Sequence, residues 1–295
     1  MSKTLTIEHT TVYRYARPVL PGEHRLMFRP RDSHDIRLLD TSITISPKAE
    51  IHYYHDPFNN SITLARFEEP ATELRFVSTF RIEHYGGEIT GYELEPFARA
   101  YPFVYESDEF PDLMRSIERR YTDPERKLSN WARRFLHPSG NTDTHELLAA
   151  INRAIHKEFQ YEPRDDQGTQ EPLETLRRGA GTCRDYALFM MEAVRSLGLA
   201  ARFVTGYLYD PSVDTDEPGT VGGGATHAWV QIYLPGAGWV EFDPTNGLIG
   251  GTNLIRVAVV RDPSQAIPVK GTFSGSPEDF LGLSVDVRVS RHPDT

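Results

Sequence analysis

The sequence predicts an α+β protein in which an antiparallel β-rich part comes first and a unit of helices followed by antiparallel strands comes second. Two observations lead to this fold class. Between residues 4 and 84, apolar and polar residues alternate with period two in short runs rich in Thr, Ile, Val, Tyr and Phe. Further along, apolar residues recur at three- and four-residue steps, as in amphipathic helices, and strand-like runs return after residue 200.

The β-rich part is predicted to form an N-terminal domain over residues 1–95. Its strand candidates include Thr4–Tyr13 and Thr41–Ile45, and its turn signals are Pro21-Gly22, Asp56-Pro57 and Asn59-Asn60. Residues 86–111 contain several glycines and prolines and show no sustained period, so they are interpreted as a linker. We therefore predict a second domain over residues 96–295, with its core at about 141–250.

An amphipathic helix is predicted from about Asn141 to Phe159. Asp143 and Glu146 stand three residues apart at its start, as in a capping box. The apolar residues at helical spacing are Leu147, Leu148, Ile151, Ala154, Ile155 and Phe159. They predict one buried stripe along the helix.

A second helix is predicted from Cys183 to about Leu197, with Gly198 just past its end. A glycine-rich turn precedes this helix, which makes Thr182 a candidate N-cap. Asp185 stands near the start, where an acidic side chain interacts favourably with the helix dipole. The cysteine is therefore predicted to lie in the first turn of a helix.

Strand-like runs follow the second helix. They are Ala201–Leu208, Thr226–Tyr233 and Gly238–Asp243, with later runs at 254–260 and 283–289. The runs Thr226–Tyr233 and Gly238–Asp243 are close enough in sequence to form an antiparallel hairpin. Such a hairpin would bring the start of the first run beside the end of the second.

Composition limits the classes of partner and compartment. Lys and Arg total 32 against 42 for Asp and Glu, and the formal charge of −10 argues against nucleic acid or an anionic membrane as partner. The N-terminus has no secretory leader pattern, and no window has the roughly 18 apolar residues of a membrane span. One cysteine excludes an internal disulfide framework, so a reduced, cytoplasmic location is predicted.

Three residues form a candidate catalytic constellation. His227 lies 44 residues after Cys183, and Asp243 lies 16 residues after His227. Each has an ordinary structural interpretation: a buried inert thiol, a strand histidine and an Asp-Pro turn. Their order on helix, strand and strand favours a nucleophile, its base and a carboxylate that orients the base.

Four sequence blocks carry a resemblance to a known family. They are Gly181–Tyr186 (Gly-Thr-Cys-Arg-Asp-Tyr), Leu197–Tyr207, Thr226–Trp229 (Thr-His-Ala-Trp) and Trp239–Asn246 (Trp-Val-Glu-Phe-Asp-Pro-Thr-Asn). In this order they resemble the core of the transglutaminase-like superfamily, over about residues 141–250. The β-rich first part resembles the N-terminal domain of its bacterial members.

The resemblance implies a papain-related α+β core with a Cys183, His227, Asp243 triad that acts on amide carbonyls of a protein or peptide substrate through a thioester. We expect no cofactor, and no metal because neither calcium-loop spacing nor a helical His-x-x-x-His pair is present. The backbone N–H of Cys183 is the first candidate donor to the oxyanion. Tyr161 is a candidate for the second, with a packed core tyrosine as the alternative. Trp229 and Trp239 are candidates for the pocket wall, with core packing as the alternative.

Other interpretations remain open at this point. Arg184 and Asp185 either tune the field at the thiol or form a surface pair and a helix-start acid. The acidic, glycine-rich residues 210–224 suggest a loop that gates the site, whereas calcium-loop spacing is absent. Hydrolysis is favoured over amine transfer because water is always present. The alternatives are a catalytically silent interaction module and, less well supported, a metal-dependent hydrolase.

Overall fold

The computed structural model describes residues 2–86, 92–164, 168–214 and 225–292. Its strands are β1 (Lys3–Leu26), β2 (Ile36–Ser46), β3 (Ala49–His55), β4 (Ser61–Phe67), β5 (Ala71–His84), β6 (Ala100–Tyr101), β7 (Thr142–Asp143), β8 (Gln160–Tyr161), β9 (Ala180–Gly181), β10 (Ala201–Leu208), β11 (Thr226–Leu234), β12 (Gly238–Asp243), β13 (Leu248–Ile249), β14 (Leu254–Val260), β15 (Val269–Ser274) and β16 (Phe280–Arg291). Its α-helices are α1 (Phe110–Ile117), α2 (Lys127–Arg133), α3 (Thr144–Glu158), α4 (Pro172–Arg178) and α5 (Cys183–Arg195). This alternation of a β-rich part with helices and a second sheet confirms the α+β fold class.

The first sheet is organised around the long strand β1. The order β2-β5-β1-β4-β3 is joined by β15 and β16, which both pair with β1 antiparallel. The sheet is thus built from both ends of the chain, whereas the sequence assigned it to residues 1–95. A strand pattern shows which residues can form a sheet but not which distant strand they pair with, so this return was not visible in the sequence.

Within β1, Pro21-Gly22 was predicted as a turn, and that prediction is wrong. The strand continues through both residues to Leu26, and its pairing with β15 shifts register between Pro21 and His24. The dipeptide therefore forms an irregularity of the kind seen in β-bulges, where one strand carries extra residues and bends.

The second sheet has the order β13-β12-β11-β10-β14, with antiparallel pairing throughout. The predicted hairpin of β11 and β12 is present, with Val230 opposite Phe242. The buried side of α5 packs against this sheet in the largest core cluster, which contains Leu188, Met191 and Phe203. This packing fixes the position of the N-terminus of α5 relative to the ends of the strands.

Residues 92–111 are packed onto this core rather than extended as a free linker. Leu94 belongs to the large core cluster, and the Tyr105 hydroxyl donates to the backbone oxygen of Tyr233 at 3.1 Å. The Tyr101 hydroxyl donates to the backbone oxygen of Leu197 at 2.8 Å. The linker interpretation is therefore wrong. The segment lacks a periodic pattern, but its aromatic rings still pack on the core.

Candidate active site

Cys183 is the first residue of α5, as the sequence predicts. Thr182 is the N-cap, and its side chain accepts from the backbone N–H of Asp185 while the Asp185 carboxylate accepts from the backbone N–H of Thr182. This is a complete capping box. The first N–H groups of a helix have no partner within the helix, so their partial positive charge lies at the cysteine. The side chain of Cys183 is nearly buried, at 8% exposure.

The carboxylate of Asp185 holds several elements together beneath the thiol. It is fully buried and accepts from the Arg164 guanidinium at 2.9 and 3.2 Å. The backbone N–H of Gln170 also donates to it, at 2.7 Å. The surface-pair interpretation of Arg184 and Asp185 is therefore wrong. Arg184 instead donates to the backbone oxygens of Pro263 and Ala266, in the segment before β15.

His227 and Asp243 form a buried pair at the ends of β11 and β12. Nε2 of His227 lies 2.9 Å from Oδ2 of Asp243, and both side chains are completely buried. Burial alone lowers the pKa of His227, but the charge and hydrogen bond of Asp243, with a further contribution from Cys183, raise it to about 10. For Asp243 burial alone would raise the pKa, but the ion pair with His227 lowers it below its usual range. Both shifts favour the charged forms.

The other ring nitrogen of His227 is turned away from Asp243. Nδ1 is buried and, among the described residues, has no hydrogen-bond partner that meets normal geometric limits. Cys183 interacts with the ring closely enough to raise its pKa. Because Nε2 is engaged by the carboxylate, Nδ1 is the nitrogen available to the thiol.

The turn after β12 fixes the orientation of Asp243. Its Oδ1 accepts from the backbone N–H groups of Thr245 and Asn246, at 3.0 and 3.3 Å. Its Oδ2 accepts from the Asn246 side chain at 2.8 Å. The Asp-Pro turn that served as the ordinary interpretation of this residue is thus present, and the same turn holds the carboxylate against His227.

Cys183 and His227 open into one cleft with a volume of about 390 Å³. The residues that line it come from both halves of the chain: His9, Thr11, Tyr13, Arg164, Gly168, Thr182, Cys183, Arg184, Thr226, His227, Ile267, Pro268, Val269, Leu283 and Val285. One wall belongs to β1 and β16 of the first sheet. No pattern in residues 1–84 indicated that β1 lies beside the thiol. The wall contains β1 and β16 side by side, and these strands pair residues that are more than 250 positions apart in the sequence.

Tyr161 lies in β8 and pairs with Gly181 of β9, close to the nucleophile in the fold, but it is not among the residues that line the cleft. Its side chain is 36% exposed, so the packed-core alternative does not describe it. Burial of the hydroxyl, followed by the nearby groups of Cys183 and Asp185, raises the pKa of Tyr161 to about 12. The hydroxyl therefore keeps its proton at neutral pH and is able to donate a hydrogen bond.

Trp229 does not line the cleft, so the pocket-wall prediction for it is wrong. The ring is completely buried and stacks on His227 with centroids 6.0 Å apart. Its indole N–H donates to the buried carboxylate of Glu241. Trp239 is also outside the cleft and packs against Tyr233 and the Arg202 guanidinium. Strand position was compatible with either location, and only the packing distinguishes them.

The gating loop proposed for residues 210–224 falls largely outside the described residues, which stop at 214 and resume at 225. Before the gap, Pro211–Asp214 form a single 3₁₀ turn. Within the described ranges, no group of three or more His, Cys, Asp and Glu side chains is arranged to hold a metal ion. None of the helices described there combines the length and apolar character that crossing a bilayer requires.

The fold and the site together define a class of α+β protein in which a thiol at a helix N-terminus meets a histidine–carboxylate pair on a sheet. The family model of the transglutaminase-like superfamily matches residues 130–244 of the sequence. The family model of the bacterial transglutaminase-like N-terminal region matches residues 5–83. The chain belongs to the transglutaminase-like superfamily and carries its bacterial N-terminal region.

Two relatives and a solved structure are similar to this chain over nearly its whole length. An uncharacterized protein of Mycobacterium leprae is 26% identical, covering 96% of this chain and 98% of its own length. One from Mycobacterium tuberculosis is 27% identical, with coverages of 95% and 91%. The crystal structure of a protein from Cytophaga hutchinsonii, described as a "putative cysteine protease", is 19% identical and superposes with a TM-score of 0.71, covering 100% of this chain and 93% of that one. This last likeness establishes the fold.

Proposed function

We propose that this protein is a cysteine-dependent amide hydrolase or acyltransferase that acts on peptide or glutamine-type amides through a thioester on Cys183. The observation that carries the proposal is geometric: Cys183, the first residue of α5, shares one cleft with His227, whose Nε2 lies 2.9 Å from Oδ2 of Asp243. The raised pKa of His227 supports the same arrangement. A charged imidazole beside the thiol and the helix N-terminus both stabilise a thiolate, which is the nucleophilic form of cysteine.

The proposed reaction has two halves. The Cys183 sulfur attacks the amide carbonyl carbon, and the carbonyl oxygen becomes an oxyanion near the backbone N–H of Cys183. The carbon–nitrogen bond then breaks, and the His227 imidazolium donates its proton to the leaving amine. Water, deprotonated by His227, attacks the thioester and releases the acid with cleavage of the carbon–sulfur bond. An amine in place of water gives acyl transfer, and we favour water because the described cleft has no evident amine site.

Tyr161 is proposed as the second donor to the oxyanion. Its hydroxyl stays protonated, and its backbone pairs with Gly181, two residues before Cys183. Loss of one oxyanion donor from a serine protease lowers kcat by about 10²–10³-fold, and we expect a loss of similar size here. Tyr161→Phe keeps the ring and removes only the hydroxyl, so this variant tests the role directly.

The pH dependence of Cys183 alkylation by iodoacetamide tests the proposed function. The chain has one cysteine, so all labelling reports on this residue. A free thiol with a pKa of about 8.5 is only about 1% ionised two pH units below that value. We expect the native protein to react rapidly below pH 8 and His227→Gln to react only near the free-thiol pKa. Native labelling that begins only near pH 8.5 would instead support a catalytically silent module.

Turnover is tested separately from thiol reactivity. Release of ammonia from glutamine-containing peptides, and of new amino termini from unmodified peptides, distinguishes side-chain from backbone amides. Cys183→Ala provides the matched control because it removes only the sulfur. Equal product formation by this variant and the native protein would show that the thiol is not the nucleophile.

A further inference from the structure

Strand β16 forms an edge of the first sheet beside the cleft. It pairs with β1 over its length, from Leu5 opposite Arg291 to Arg14 opposite Gly282. Within the described ranges, no strand pairs with its other side. A free edge presents unpaired backbone N–H and C=O groups, and proteins usually protect such edges with charges, prolines or bulges.

The alternation of hydrogen bonds along β16 identifies which backbone groups are free. The backbone N–H of His292 donates to the oxygen of Thr4 at 2.9 Å, so these two residues form a hydrogen-bonded pair. In an antiparallel ladder such pairs alternate with pairs that make no mutual bonds. The even-numbered residues from 282 to 290 therefore bond to β1. The odd-numbered residues, including Leu283 and Val285, direct their N–H and C=O groups outward.

The same two residues place apolar side chains in the cleft. Leu283 and Val285 are 44% and 50% exposed, and they line the cleft together with Cys183. They lie opposite Tyr13 and Thr11 of β1, which line the same wall. Large apolar side chains that remain exposed on an edge strand indicate a binding surface or an aggregation hazard, and here they adjoin the reactive thiol.

Resting on the proposed function, we propose that the substrate binds as an extended peptide segment that adds a strand to the free edge of β16. The outward N–H and C=O groups of Leu283 and Val285 bond to its backbone. Its alternate side chains lie beside these two residues and enter the cleft that contains Cys183. Main-chain hydrogen bonds supply affinity in this mode of recognition, and side-chain pockets supply specificity.

Among the described residues that line the cleft, those from β1 and β16 are uncharged at neutral pH, and this wall favours an uncharged segment. Arg164 is paired with Asp185, and Arg184 is bonded to backbone oxygens. His9, on the same wall, is kept neutral at physiological pH because burial lowers its pKa to about 4. The wall formed by β1 and β16 thus offers apolar contact and backbone pairing. A second copy of this chain paired at the same edge would cover the cleft, so we favour the substrate as the occupant.

Peptide chloromethyl ketones test this mode on the intact protein. The reagents are Val- and Leu-rich pentapeptides that carry the chloroketone either at the C-terminus or at the end of a side chain of glutamine length, and the faster one is used. The thiolate of Cys183 displaces chloride and forms a carbon–sulfur bond. Versions with a single N-methylated amide at each position in turn remove one backbone donor at a time. We expect at least a tenfold slower reaction at alternate positions and little change at the positions between.

Variants of β16 complete the test. Val285→Ala and Val285→Pro both remove the isopropyl group of the valine, but only proline also removes the outward N–H. The rate with the peptide reagent is divided by the rate with iodoacetamide for each variant, and we expect this ratio to be at least tenfold lower for Val285→Pro than for Val285→Ala. If Val285→Pro does not fold, the N-methyl scan on the native protein decides alone.

Three results would overturn the pairing. One is an equal ratio for both variants, and another is equal rates for all N-methylated reagents. The third is a native dimer, seen by light scattering, that Val285→Pro dissociates, since the edge would then serve self-association. Failure of the proposed function gives a different result: neither iodoacetamide nor any peptide reagent labels the native protein below pH 8.

Discussion

The indole ring of Trp229 stacks on the imidazole of His227, with ring centroids 6.0 Å apart and planes inclined by 27°. The indole N–H donates to Glu241, which also accepts from Gln231 and Arg256. The ring of the candidate base is thus backed by a buried aromatic ring that a buried polar network holds in place. Such support fixes the orientation of a reactive group, and it requires that the supporting side chains pack precisely.

Replacement of Trp229 is expected to weaken both the fold and the site. Trp229→Ala leaves a cavity behind His227 and should lower the free energy of unfolding by about 3–5 kcal/mol. Trp239→Ala is the control, because that ring is only partly buried and lies outside the cleft. Urea denaturation gives the difference in stability. The same loss in both variants would contradict the structural role assigned to Trp229.

Asp243→Asn is expected to reduce turnover far more than it reduces folding. The amide keeps the size of the carboxylate but loses the charge that raises the pKa of His227. The corresponding change in serine proteases costs about 10⁴-fold in kcat. The onset of Cys183 alkylation should also move to higher pH. Unchanged turnover with an unchanged alkylation profile would show that the carboxylate does not act on the histidine.

Two acidic residues at helix N-termini provide a matched comparison of stability. Asp185→Ala removes the capping-box partner of Thr182 and leaves the Arg164 guanidinium, only 15% exposed, without its carboxylate. Loss of one partner from a buried ion pair costs about 3–5 kcal/mol. Asp143→Ala removes the exposed N-cap of α3, which is worth about 1 kcal/mol. Thermal unfolding of the two variants measures this difference, and similar losses would refute the buried role of Asp185.

Acid is expected to destabilise the fold through buried neutral histidines. Burial lowers the pKa of His9 to about 4 and also lowers the pKa values of His24 and His84. Because the unfolded chain binds protons first, stability falls as pH drops from about 6.5 towards 4. His227 acts in the opposite direction, since its raised pKa contributes stability below about 6.5 that is lost as pH rises towards 10.

His9→Gln tests the acid effect on one residue. The amide can still bond to Tyr207 or Thr11, the two hydroxyl partners of His9, but it does not titrate. Between about pH 7 and pH 4.5, the variant should lose about 2–3 kcal/mol less stability than the native protein. His52→Gln, at an exposed ring, is the control and should follow the native protein. If the stabilities of the native protein and His9→Gln change in parallel with pH, the lowered pKa of His9 does not cause the loss of stability in acid.

Local features of the site were predictable from the sequence because they depend on neighbouring residues. The cap at Thr182, the helix that begins at Cys183 and the hairpin of β11 and β12 each arise from contacts within about 20 residues. The ordered sequence blocks also predicted the family correctly. These features brought Cys183, His227 and Asp243 into consideration, and the fold brings the three side chains together.

The sequence by itself determined the α+β class, the capped helix and the residues available for chemistry, because capping, periodicity and spacing act along the chain. Only the tertiary structure decided that β16 returns to β1, that the first sheet walls the cleft and that Trp229 lies behind the histidine. Those outcomes depend on which distant strands pair and which faces pack together. Alternating apolar residues make a strand competent for several such partners, and the assembled fold selects one.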